Sequence, residues 1–117
     1  MNIYREMTVW KKSIQLCTEV YKITKLLPTS ERYVLCEQMQ RAAISVPSNI
    51  AEGSGRTSKK ELVHFLSISR GSLFELETQT ILCKQLEYIS QDATEDFDKL
   101  SDEITKMLTA LIKKYSE

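Results

Sequence analysis

Turn-making residues are scarce, with 3 Gly and 2 Pro in 117 residues. All-β folds need far more punctuation than that, so long helices are expected. Histidine is scarcer still: His64 stands alone. With no second histidine, Glu61-x-x-His64 has no second Glu-x-x-His to pair with, so the di-iron bundle arrangement is excluded and Glu61 does not complete a metal site. The serines have no nearby histidine base and no nucleophile elbow. Gly53-Ser54-Gly55 lacks the strand and the further glycines of a phosphate-binding loop. The expectation is a protein without catalytic residues, cofactor or metal.

Net charge is also lacking, because 16 Lys and Arg balance 16 Asp and Glu. That argues against a general phosphate-gripping protein, though not against a local basic patch. Residues 1–30 carry a net +3 and residues 90–117 a net −3. These segments would attract each other if packed side by side; a solvated surface accounts for the same numbers. The odd cysteine count (Cys17, Cys36, Cys83) and wide spacing suit buried free thiols in a reducing cytosol, not a disulfide framework. No apolar run approaches the roughly 20 residues that span a membrane. Met1–Met7 is polar and charged, unlike a signal peptide. The expected location is the cytoplasm, without membrane attachment.

What is present is a hydrophobic fraction of 42%, enough to bury a core. The patterning predicts one domain over residues 1–117, an all-α, antiparallel up-down-up-down four-helix bundle with helices at about 8–27, 30–53, 58–88 and 92–115. In the first helix Trp10, Ile14, Cys17, Tyr21 and Thr24 form a 4,3,4,3 row, widened by Val9, Leu16, Val20 and Ile23. Thr8 is the expected N-cap and Pro28 the stop. The second helix starts near Ser30, with Tyr33, Val34, Met39, Ala42, Ala43, Val46 and Ile50 as its apolar face. Pro47 should kink it without ending it, a full break being the alternative. Gly53 is expected to close it in the left-handed conformation.

Ser58 and Glu61 read as a capping box opening the third helix. Leu62, Phe65, Leu66, Ser69, Leu73, Leu76, Thr80 and Cys83 line one face of it. A second box is expected at Asp92 and Glu95, followed by Phe97, Leu100, Ile104, Met107 and Leu111 at 3,4,3,4 spacing.

One constellation stands out. Gln38, Arg41, Ser45, Ser48 or Asn49, and Glu52 follow 3–4 spacing and form a polar stripe beside the apolar face of the second helix. The third helix answers with Gly71, Ser72, Glu75 and Glu77. Gly71 and Ser72 are small enough to admit a close neighbour. Glu75 and Glu77 project on different faces, which does not suit a paired acid/base site. A carboxylate opposite Arg41 would form a bidentate bridge. The stripe is expected to be sealed between helices or subunits, the alternative being a solvated stripe.

These residues resemble a known family. Gln38-x-x-Arg41-Ala42-Ala43-Ile44-Ser45-Val46-Pro47-Ser48-Asn49-Ile50-Ala51-Glu52-Gly53 is similar to the central run of the 23S ribosomal RNA intervening-sequence proteins. So are Gly55-Arg56, Lys60-Glu61, Phe65-Leu66 and Gly71-Ser72-Leu73-x-Glu75-Leu76-Glu77-Thr78. Flanking matches lie at Val9-Trp10-Lys11, Pro28-x-x-Glu31-x-Tyr33-x-Leu35 and Lys106-Met107-Leu108-x-x-Leu111-Ile112. Gln40 departs from the pattern, which often has a second arginine there. The resemblance implies a four-helix bundle that assembles as a homopentamer, with no catalytic activity established. Related accessory proteins of diversity-generating retroelements use a basic bundle to bind nucleic acid and a reverse transcriptase.

The leading functional expectation is a non-enzymatic oligomeric scaffold or adaptor. The alternative is RNA or DNA binding through Arg56, Lys59 and Lys60, clustered where the loop enters the third helix. Cations are disfavoured at a helix start unless something anionic binds there.

Overall fold

A computed structural model of the protein describes residues 3–117. Four helices account for most of it: α1 (Thr8–Thr24), α2 (Leu35–Ser54), α3 (Lys59–Gln85) and α4 (Glu95–Ser116). No strand occurs among the described residues. α1 packs on α2, α2 on α3, α3 on α4, and α4 back on α1. Short connections force consecutive helices to be antiparallel, and this ring of neighbours is that of an up-down-up-down bundle. Its long dimension is 44 Å, close to the roughly 40 Å that the 27-residue α3 spans at 1.5 Å per residue.

The core is aliphatic. Leu16, Val20 and Ile23 of α1 meet Met39, Ala43, Val46 and Ile50 of α2, Leu66, Leu73 and Leu76 of α3, and Phe97, Ile104 and Leu108 of α4. In α1 the phase differs from the sequence expectation. The row Val9, Ser13, Leu16, Val20, Ile23 is buried, while Ile14 and Tyr21 are exposed and Trp10 and Cys17 sit at the edge. Ser13 can occupy the core because its hydroxyl donates to the Trp10 carbonyl at 2.7 Å. The attraction expected between first and last segments is realised where Lys12 of α1 pairs with Glu103 of α4.

Helix ends differ most from expectation. Thr8 lies inside α1, and the N-cap position is Met7, whose side chain does not cap. α1 ends at Thr24, because Leu27 precedes Pro28 and avoids helical geometry. Ser30 falls in a single 3-10 turn (Thr29–Glu31), so α2 starts at Leu35, and Tyr33 and Val34 stay exposed instead of joining its buried face. Ser58 does cap α3, accepting the Glu61 amide at 3.0 Å. Asp92 lies in another 3-10 turn, and α4 starts at Glu95 with no side-chain cap from Thr94.

Gly53 is not left-handed, and no described glycine has positive φ. α2 runs past it to Ser54. Its smallness serves packing instead: a Cβ there would lie 2.9 Å from Phe65 Cβ and 3.2 Å from Leu62 Cδ1. The left-handed position is Glu87, φ 60°, just beyond α3. The Tyr88 amide donates to the Cys83 carbonyl and the Glu87 amide to Lys84, the paired bonds of a Schellman ending.

α2 continues through Pro47, so the full break does not occur. Proline donates no backbone hydrogen bond, which frees the Ala43 carbonyl four residues back. The Cys17 thiol of α1 donates to that carbonyl at 3.1 Å. Burial pushes the Cys17 thiol up to about 11, so it stays protonated and able to donate near neutral pH. Burial likewise pushes Cys83 up to about 11.

Candidate functional site

The polar stripe divides into a sealed part and a solvent-exposed part. At the α2–α3 seam the Asn49 amide donates to the Ser45 carbonyl at 2.8 Å and to the Ser45 hydroxyl at 2.9 Å. Ser72 of α3 donates to the same hydroxyl at 2.8 Å. Ser69 donates to the Val46 carbonyl at 2.7 Å. Short side chains at Ser45, Ser69 and Ser72, with Gly53, let the two helices approach closely, and every hydroxyl there has a partner. This is a satisfied structural network with no group poised to react.

Gln38, Arg41, Glu52 and Glu75 are exposed. The Arg41 side chain is 78% exposed, and its carboxylate partner is Glu37 on its own helix at 3.8 Å. Within this chain Arg41 makes no bridge to a carboxylate of α3, its side chain being exposed to solvent. Gly71 also faces open space, with nothing within 4 Å of a Cβ built on it, so it admits no close neighbour within this chain. Glu77 turns to the other side of α3 and accepts the Ser101 hydroxyl of α4 at 2.9 Å. Glu75 and Glu77 therefore do face apart.

In the basic cluster, Arg56 is engaged twice, by Glu52 at 3.1 Å and Glu61 at 3.7 Å. Its guanidinium lies over the Phe65 ring, 5.0 Å from the centroid. The Glu61 carboxylate, expected to reach back to Ser58, is drawn to Arg56 instead. Lys59 and Lys60 are exposed and make no ion pair among the described residues. His64 is exposed on α3, its ring edge-on to Phe65 at 5.3 Å.

A feature that sequence reasoning missed lies on the far side of α3. Phe74 and Ile81 are exposed beside a groove of about 400 Å³ between α3 and α4, with Glu77, Asp98, Ser101, Asp102 and Thr105 among its lining. Thr105 Oγ1 is buried there without a hydrogen-bond partner, as is Gln79 Oε1 elsewhere on α3. The signal was present: apolar residues in the third helix recur off the 3–4 row at Ile68, Phe74, Ile81, Leu82 and Leu86. No described helix is long and apolar enough to cross a membrane. No group of three or more His, Cys, Asp or Glu side chains among the described residues is placed to hold a metal ion.

Comparison with known proteins agrees with the architecture. No curated protein matches the sequence significantly. The chain is similar to a crystal structure of a protein of unknown function from the S23 ribosomal protein family of Bacteroides thetaiotaomicron. The TM-score is 0.83 at 27% identity, over 91% of this chain and 99% of that one. The family model for 23S rRNA-intervening sequence proteins matches residues 5–110, covering all four helices up to the last turns of α4. The chain belongs to the 23S rRNA-intervening sequence protein family.

Proposed function

We propose that the protein is a non-enzymatic scaffold or adaptor that works as an assembly of identical chains. The observation that carries this reading is the surface of α3. Leu66, Leu73 and Leu76 fill the core, and Ile68, Phe74, Ile81 and Leu82 on the same helix, with Leu86 at its C-cap, remain exposed. α3 thus carries apolar side chains outside its core-facing row, interspersed with charged ones, and this bundle encloses only the core-facing side. These side chains are about half exposed, so covering each adds roughly half of the ~1.5–3 kcal/mol that full burial is worth, and several must be covered together to offset the cost of association. The resemblance to pentameric relatives suggests five copies. Three free thiols suit a cytoplasmic setting.

Sedimentation or light scattering on the purified chain tests the reading. The expected result is a particle several times the protomer mass of 13.5 kDa. A clean monomer at micromolar concentration would overturn it.

A second reading is RNA or DNA binding at the turn from α2 into α3. It is favoured by Lys59 and Lys60, which stand without carboxylate partners on the first turn of a capped helix. Arg56, held by two carboxylates, contributes less. A titration with structured RNA and single-stranded DNA at two salt concentrations compares wild type with Arg56→Glu, Lys59→Glu, Lys60→Glu. Salt-sensitive binding lost in the triple variant supports the patch; equal binding by both proteins, or none by wild type, removes it.

A further inference from the structure

The α3–α4 groove and the outward face of α1 have matching features. Phe74 and Ile81, 48% and 58% exposed, stand seven residues apart on α3, two turns or about 10 Å along the helix. The groove beside them holds three carboxylates, Glu77, Asp98 and Asp102, and the ammonium of Lys84, while Lys106 at its margin pairs with Asp102 at 3.0 Å. The Lys84 ammonium is already drawn to Asp98 at 3.6 Å. The groove therefore combines two apolar anchors with an excess of negative charge.

On α1 the row Lys11, Ile14, Thr18, Tyr21, Lys25 runs at 3,4,3,4 spacing, and all five are exposed. Ile14 and Tyr21 repeat the two-turn spacing of Phe74 and Ile81. Lys11 and Lys25 bracket them, and neither makes an ion pair among the described residues. The other edge of α1 already shows the same complementarity within the chain, through Lys12 and Glu103.

We infer that the outward face of α1 in one copy docks into the α3–α4 groove of a second copy. This rests on the self-assembly reading and names the two surfaces that meet. The contact joins unlike patches, so each copy offers one of each. Repetition then closes a ring or extends a fibre, and cannot stop at a symmetric dimer. Ile14 and Tyr21 cover Phe74 and Ile81, and the lysine flanking the residue over Ile81 (Lys25 or Lys11, according to the direction in which α1 lies) faces Asp98 and Asp102. The contact should weaken as salt rises.

The test uses two charge-swapped full chains, Lys11→Glu with Lys25→Glu, and Asp98→Lys with Asp102→Lys. All four positions are exposed, and circular dichroism confirms folding. Ile14→Ser with Tyr21→Ser, and Ile81→Lys, serve as second variants for the two surfaces should a swap fail to fold. Each swapped chain alone should associate at least about tenfold more weakly than wild type. Mixed one to one, they should reassemble with the two chains alternating, because the unchanged α1 meets the unchanged groove and the inverted α1 meets the inverted groove. A single chain carrying both swaps should assemble again through the inverted charges. Variants that keep the wild-type mass, a mixture that stays dissociated, or a double swap that stays dissociated would overturn the interface. Assembly of wild type with unaffected variants overturns only this interface; a monomeric wild type overturns the scaffold reading itself.

Discussion

α3 and α4 lie side by side in one bundle and solve different problems. α4 buries Phe97, Ser101, Ile104 and Leu108 at 4,3,4 spacing and carries charge on its outer face. Its first turn holds Glu95, Asp96 and Asp98 and its last turn Lys113 and Lys114, each sign placed to suit the helix dipole. α3 buries a comparable row but exposes four large apolar side chains, with Leu86 a fifth at its C-cap, and its first turn opens on Lys59 and Lys60, against the dipole. α4 meets its needs within the protomer. α3 is stable there only as far as its core face goes, and the rest of its surface makes sense against something else.

The sharpest way to break that contrast is to truncate one large side chain on each helix. Ile104→Ala on α4, wholly buried, is expected to lower the unfolding free energy by about 2–5 kcal/mol. Phe74→Ala on α3 should shift it by less than about 0.5 kcal/mol while reducing the assembly mass. Denaturant melts of dissociated protein, paired with light scattering, separate the two effects. Equal losses would mean that Phe74 belongs to the protomer core.

Next in size is the start of α3. Gly53→Ala places a methyl group against Phe65 and Leu62, and the overpacking should cost about 1–3 kcal/mol. A neutral result in a thermal melt would show that the α2–α3 contact is looser than its geometry.

The far end of α3 should respond in the opposite direction. Glu87→Gly relieves a left-handed residue and should add about 1 kcal/mol. Smallest is Gly71→Ala in mid-α3, where open space and better helix propensity predict a gain of about 0.5–1 kcal/mol. If that variant gains stability but loses assembly, a neighbouring chain approaches α3 at Gly71.

Most of the bundle was legible because period and punctuation coincide. Ser58 capped as read, and the row through Leu66–Cys83 supplied the buried face of α3; in α4 only Phe97 and Ile104 of the expected row are buried, Ser101 and Leu108 completing the core face while Leu100, Met107 and Leu111 sit at its edge. α1 was misphased for a physical reason. Its buried row contains Ser13, and the edge row of Trp10, Ile14, Cys17 and Tyr21 looks more apolar, but the Ser13 bond to Trp10 makes the polar residue acceptable inside. The polar stripe was only half legible, since 3–4 spacing finds a face without saying what covers it. Ser45 and Asn49 face α3, and Arg41, one turn earlier, does not. The groove beside Phe74 was missed because its lining is shared between α3 and α4 and no row on either helix alone shows it.

Pro47 ties the folding of one helix to the arrival of another. The turn around it lacks the amide that would hold the Ala43 carbonyl, and the replacement donor comes from a thiol 26 residues earlier in the chain. Helix growth is cooperative only while each residue adds its bond. Nascent α2 should therefore be discontinuous, two short helical stretches meeting at a weak joint until α1 docks. On this basis a peptide of residues 35–54 would populate little continuous helix in water, and the joint would set as α1 packs. The proline then acts as a checkpoint in assembly order, making the central helix complete only within the finished bundle.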